Sequence, residues 1–306
     1  LLAETMVKLG NLKAAFGQYS KVVQLDPDHN NAQLKLAEFL FLGKQIDQAR
    51  EKTIKILEKN PLNPEALHLK AQIYLFEKNH DKAASVYEQI LDNDDTDLAA
   101  LQHLAKIKEF QNKPEEAETL FLRAIKIDGR NIDLYAGLAE FYVKINAFKK
   151  AESLLQDAIA KNPQNEVPHI LLGGYYFNQK KYDPAEKAYL KAVNTKNSTI
   201  KPHMAIANFY NHIQQPEKEL ASYQKASAKE PENPSIKNTI ARFHFNHKDF
   251  EQARTLVDQV LVKRPEYHPS LLLKTELLLL DKKFDAVLPL LNSLEKTNRN
   301  HLIFTI

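Results

Sequence analysis

The sequence contains no cysteine and no tryptophan, and only seven glycines in 306 residues. Without cysteine there is no disulfide, no zinc–thiolate cluster and no cysteine nucleophile. Without tryptophan, and without a stripe of basic residues, polysaccharide and nucleic acid are disfavoured as ligands: 42 Lys/Arg face 39 Asp/Glu for a net charge of +3, and the two signs alternate along the chain. The longest apolar run, Leu271 to Leu280, is about half the roughly 20 residues a membrane span needs, and it carries Lys274 and Glu276. No Gly-rich phosphate loop, serine nucleophile elbow or HExxH motif occurs, so the residues point away from an enzyme. No metal or cofactor site is expected either. With glycine scarce, the turns must be built from Asn, Lys and Gln, as at Asn79, Asn112, Asn146 and Lys180.

What is present is a period. Pro27, Pro61, Pro163, Pro231 and Pro265 are separated by multiples of 34 residues. Twelve places before each point of that grid stand Ala15, Ala49, Ala83, Ala117, Ala151, Ala185, Glu219, Ala253 and Val287. Twenty-four places before it stand Ala3, Ala37, Ala71, Ala105, Ala139, Gly173, Ala207, Ala241 and Thr275. A third column, eight places before the grid, is mostly large: Tyr19, Thr53, Tyr87, Phe121, Leu155, Tyr189, Tyr223, Val257 and Leu291. Two small columns with a bulky one between them are what two closely crossing helices require, so each unit reads as a helical hairpin.

Between Asn131 and Asn165, the residues Tyr135, Leu138, Ala139 and Tyr142 recur at i, i+3, i+4 and i+7, as do Ala151, Leu154, Leu155 and Ala158 after a turn near Asn146. Pro163 then ends the second helix, because it lacks an amide and disfavours helical geometry in the residue before it. The spacing Leu138-Ala139, Tyr142, Ala151, Ala158, Pro163 resembles the tetratricopeptide repeat, and the next unit repeats it through Leu172-Gly173, Tyr176, Ala185, Tyr189 and Ala192. The likeness covers the whole chain. It departs where Asp95, Gly129, Asn197 and Arg299 replace the closing proline and where Glu219 and Val287 replace the second-helix alanine.

The resemblance implies an all-α fold: a right-handed superhelical solenoid of about nine tandem 34-residue helix-turn-helix repeats. A single array over residues 1–306 is expected, with units ending near 29, 63, 97, 131, 165, 199, 233, 267 and 301. The grid places Leu1 inside a first helix and HLIFTI at the start of a tenth unit, so the chain reads as cut at both ends from a longer protein. The phrasing of residues 15–75 is similar to bacterial exported tetratricopeptide lipoproteins of exopolysaccharide and envelope systems, which implies a cell-envelope location in preference to a cytoplasmic one. Any lipid-bearing cysteine would lie upstream.

In the resembling family, peptides lie on a concave surface formed by the first helices. The implied function is therefore a non-enzymatic protein–protein interaction scaffold, holding a partner peptide or helix, with assembly of an envelope or export complex as its sharper form. The alternative is a regulatory or substrate-recruiting arm of an enzyme whose catalytic domain lies outside the sequence. Self-association stays open. On the grid, the exposed first-helix face includes Ile170, Gly174 and Phe177, then Met204, Asn208 and Asn211, then Asn238, Arg242 and Phe245. Asparagine both donates and accepts, and arginine forks onto carboxylates. Met204/Asn208 and Asn238/Arg242 match only in part the Lys/Asn clamp of chaperone-binding relatives. A second, more apolar patch comprises Leu34, Glu38, Phe41, His68, Gln72, Leu75 and Phe76. The pair His244 and His247 supplies two of the four ligands a structural zinc wants. His169 and His203 share a column that plugs the hairpin, and Asp94-Asp95 and Glu115-Glu116 sit where helix ends are capped.

Overall fold

The computed structural model describes residues 2–196 and 198–291. Among these it contains seventeen helices and no strand, with a further helical run over 284–291. Leu1, expected inside a first helix, Asn197, and residues 292–306, which include Arg299 and the expected tenth-unit start, lie outside the described residues.

The first compact unit, Leu1–Asn146, holds α1 (Leu2–Lys8), α2 (Leu12–Leu25), α3 (Asn30–Leu42), α4 (Ile46–Lys59), α5 (Pro64–Phe76), α6 (His80–Asn93), α7 (Leu98–Phe110), α8 (Pro114–Ile127) and α9 (Ile132–Lys144). The second, Ala147–Ile306, holds α10 (Phe148–Lys161), α11 (Glu166–Asn178), α12 (Tyr182–Val193), α13 (Ile200–His212), α14 (Pro216–Lys229), α15 (Pro234–Asn246), α16 (Phe250–Lys263) and α17 (His268–Leu280). In each unit a first helix packs on its own second helix and on the second helix of the repeat before it. First helices also touch first helices, as α3 does α5 and α11 does α13.

The columns explain the packing. Ala15, Ala49, Ala83, Ala117, Ala151, Ala185 and Ala253 are wholly buried, as are Ala37, Ala71, Ala105, Ala207 and Ala241. The rings of Tyr87 and Phe121 fill the space between such columns. Where Thr53 and Thr275 interrupt the pattern, each buried hydroxyl donates to the carbonyl four residues back, Thr53 to Ala49 at 2.7 Å and Thr275 to Leu271 at 2.9 Å.

The turns inside the hairpins are also periodic. Lys44, Lys78, Asn112, Asn146, Lys180, Gln214, Lys248 and Lys282 all have φ between 56° and 64°, the left-handed conformation that glycine takes at Gly10. The next residue closes one helix and opens another. Its amide reaches back five residues, as from Asn79 to the Tyr74 carbonyl at 2.8 Å, while the Asn79 side chain accepts from the Lys82 amide at 3.2 Å. Asn79 is thus an N-cap, and Lys78 is the left-handed residue that the sequence pattern placed one position late. The turns between repeats pair an N-cap with a helix start, as in Asn63 accepting from Ala66 at 2.8 Å ahead of Pro64.

Candidate functional site

In the second unit the first-helix face between α13 and α15 encloses a pocket of about 260 Å³. Asn208 and Asn211 from α13, Glu219 and Tyr223 from α14, and Thr239, Arg242, Phe243 and Asn246 from α15 line it. Three residues singled out from the sequence, Asn208, Asn211 and Arg242, therefore meet in one place. The 34-residue period brings them there, because equivalent first-helix positions in adjacent repeats lie side by side.

The pocket floor is polar. Glu219 is only 4% exposed. Its Oε1 accepts from Asn211 Nδ2 at 3.0 Å, and the Tyr223 hydroxyl donates to Asn208 Oδ1 at 3.3 Å. Burial, and then the neighbouring Glu219 charge, push the Tyr223 phenol up to about 12. On the rim, both terminal guanidinium nitrogens of Arg242 donate to the Glu276 carboxylate, Nη2 to Oε1 at 2.9 Å, and the group lies over the Phe245 ring at 5.3 Å. Arg242 is thus already paired within the protein, where the sequence suggested a fork onto a partner carboxylate.

The other candidates serve the seams between repeats. Asn238 accepts from Ser270 Oγ at 2.8 Å, Met204 packs against the Ile236, Ile240 and Phe243 cluster, and Phe245 meets Phe250 at 5.6 Å. Phe177 stands edge-on to Phe209 at 5.9 Å and to His212 at 4.8 Å. Ile170 is half-buried in the same cluster, and Gly174 lies near the Tyr189 hydroxyl.

The second patch, in the first unit, is largely packing. Leu34 is in the core at 7% exposure, so it presents nothing to a partner, and Phe41 packs on the same cluster and edge-on to Phe76 at 6.0 Å. Glu38 pairs with Lys35 at 2.8 Å. His68 Nε2 lies 2.8 Å from Asp97 Oδ2, the same carboxylate whose Oδ1 accepts from the Ala100 amide at 2.8 Å and caps α7. Gln72 and Phe76 are exposed, and Leu75 is half-buried.

The described histidines do not converge. His244 Nδ1 pairs with Asp249 at 2.9 Å, and His247 Nδ1 lies 2.8 Å from the Phe243 carbonyl with its ring stacked on Phe243. His169 and His203 are buried, and burial lowers the pKa of each. Among the described residues, no group of three His, Asp or Glu side chains is placed to hold a metal ion. Of the acidic pairs, Asp94 bonds the Thr96 amide and hydroxyl in the turn before α7, and Glu116 pairs with Lys108 and Lys113.

Tyrosines also join successive repeats. Tyr142 donates to Glu118 at 2.7 Å, Tyr176 to Glu152 at 2.6 Å and Tyr210 to Glu186 at 2.8 Å, each tying a first helix to the preceding second helix. These glutamates recur 34 residues apart, each one place beyond an alanine of the second-helix column, at Ala117, Ala151 and Ala185. The signal was therefore present in the sequence beside the small residues.

No helix among the described residues is long and apolar enough to cross a membrane. No curated protein matches the sequence. Solved structures share the fold. A tetratricopeptide repeat protein from Parabacteroides merdae aligns over 79% of this chain and 95% of its own at 15% identity, with a TM-score of 0.54. Yeast Tom70 aligns over 94% of this chain at 17% identity and a TM-score of 0.61, and the chain spans 59% of the yeast protein's length. The C-terminal part of a repeat-containing protein from Cytophaga hutchinsonii aligns over 77% of this chain and 96% of its own at 16% identity, with a TM-score of 0.51. Two family models, both described as tetratricopeptide repeat, match residues 6–73 and 110–167 and residues 64–97 and 169–199. With these repeats covering most of its length, the chain belongs to the tetratricopeptide-repeat family, whose fold serves generally as a protein–protein interaction scaffold.

Proposed function

We propose that the chain is a non-catalytic scaffold that holds an extended segment of a partner protein along the first-helix face of α13 and α15. The observation that carries this reading is the polar pocket between those helices, where amides from two repeats and a buried carboxylate surround about 260 Å³ of open space. An extended backbone has a free donor and acceptor at every residue. Exposed Asn208, Asn211 and Asn246 offer both functions in a row along this face.

The test is selection of peptides from a random display library on the purified chain, followed by calorimetric titration of the selected sequences. Asn208→Ala with Asn246→Ala is expected to weaken binding at least tenfold while helicity and melting stay unchanged. Asn238→Ala serves as the control, because its side chain is engaged with Ser270 in a seam. Equal binding by the double variant, or an equal loss on Asn238→Ala, would move the binding face elsewhere.

A further inference from the structure

Glu219 stands in a column filled by alanine at seven of the other eight places, Val287 being the exception. At the same place in other repeats Ala15, Ala49, Ala83, Ala117, Ala151, Ala185 and Ala253 are wholly buried, and Glu219 is buried with them at 4% exposure. An ionised carboxylate withdrawn from water is costly unless its lone pairs and its charge are met. Glu219 receives the Asn211 amide at 3.0 Å, has the Tyr223 hydroxyl as a second neighbour and lies in the first turn of α14, but no described Lys, Arg or His nitrogen forms an ion pair with it. Packing does not ask for a carboxylate here, since alanine closes the equivalent crossings elsewhere.

The space in front of Glu219 is the pocket described above. Its other charged wall, Arg242, is paired with Glu276 just outside the lining, so the three groups together carry one net negative charge. Phe243 and Tyr223 supply aromatic surface, and Asn208, Asn246 and Thr239 supply oxygen acceptors. Because Asn211 already holds Oε1, the carboxylate favours a compact ammonium that can bond one oxygen over a planar fork that wants both.

We infer that this pocket takes a lysine side chain of the partner segment, its ammonium paired with Glu219. This rests on the groove reading above and names one residue of what the groove holds. Acetyl-Ala-Ala-Lys-Ala-Ala-amide and its norleucine and arginine counterparts are titrated into the intact chain, with side-chain amides of asparagine labelled with ¹⁵N. The lysine peptide is expected to shift the Asn211 signals saturably and to bind at least tenfold tighter than the norleucine peptide. Glu219→Gln, which keeps the shape, should abolish that preference.

Equal binding of lysine and norleucine peptides, or a preference that survives Glu219→Gln, overturns the assignment; if Asn208 and Asn246 still respond, the groove itself stands. Equal binding of the arginine peptide overturns the choice of ammonium over guanidinium. No response from any peptide overturns the groove reading as well. Glu219→Ala restores the column residue and is expected to raise the denaturation midpoint while losing the lysine preference. A lowered midpoint would mean that Glu219 holds the hairpin together, which also overturns the inference.

Discussion

Three glycines in first helices give different expectations for the same change. A Cβ built on Gly173 would lie 2.7 Å from Cδ1 and Cε1 of Tyr189 and 2.9 Å from its Cγ. That ring is 7% exposed and is set against Phe209 at 5.6 Å, so it has nowhere to swing, and its Cγ moves only if the helix moves. Overpacking of this kind costs about 1–3 kcal/mol. Replacing a glycine by alanine inside a helix stabilises by about 1 kcal/mol. Gly173→Ala should therefore be destabilising, by up to about 2 kcal/mol. At Gly137 the nearest neighbour of the added carbon is Phe121 Cε1 at 3.4 Å, and at Gly174 it is the Tyr189 hydroxyl at 3.7 Å, both ordinary contacts. Those two substitutions should gain up to about 1 kcal/mol. Urea denaturation followed by circular dichroism, with hydrogen exchange to localise the change to α11 and α12, separates the cases. Tyr189→Leu should cost stability alone yet rescue Gly173→Ala, with a coupling of about 0.5–3 kcal/mol. If Gly173→Ala stabilises as much as Gly174→Ala does, the steric account of the small column is wrong.

Other outcomes follow from the turns, the histidines and the seams. Lys180→Gly relieves a left-handed backbone and should stabilise by up to about 1–2 kcal/mol, seen as a higher denaturation midpoint, whereas Lys180→Val should lower it. His169 and His203 have pKa values lowered by burial from 6.5, so their contribution is complete above that pH and is lost as pH falls through the lower folded values. Stability should therefore begin to fall just below pH 6.5, by up to about 1.4 kcal/mol per pH unit for each histidine, and His203→Phe should flatten the slope in denaturation curves taken from about pH 7 to about pH 5. Tyr210→Phe removes a hydrogen bond to Glu186 and should cost about 1–2 kcal/mol, read as a lower urea midpoint with faster hydrogen exchange at the α12–α13 seam.

Most of the fold was legible because its constraints are steric and recur. A proline grid marks where second helices stop, and an alanine or glycine column marks where helices cross, so neither needs knowledge of distant contacts. The first-helix face was legible only in part. Asn208, Asn211 and Arg242 meet because identical positions in adjacent repeats are neighbours, but period alone does not say which side chains a neighbour engages. Arg242 turns to Glu276 one repeat on, Asn238 turns to Ser270, and Leu34 and Met204 pack into the seam that follows them. Glu219 was visible as a break in the alanine column, and that break was the signal for the pocket floor. Tyr223 was read only as filler for the crossing, because its ring does fill it while its hydroxyl reaches Asn208.

The helix starts carry a consequence for how such a chain changes length. First helices from α3 to α17 begin 34 residues apart without exception, and so do second helices from α2 to α16. Across these helices no repeat has gained or lost a residue. A recombination event between any two equivalent turns within a unit, for instance after Lys180 and after Gln214, removes one whole hairpin's worth of chain and joins α11 to α14 through the same left-handed turn. The seams on either side then meet small column with small column in phase, so the array can be shortened or extended in whole steps while every surviving helix keeps its inward and outward faces.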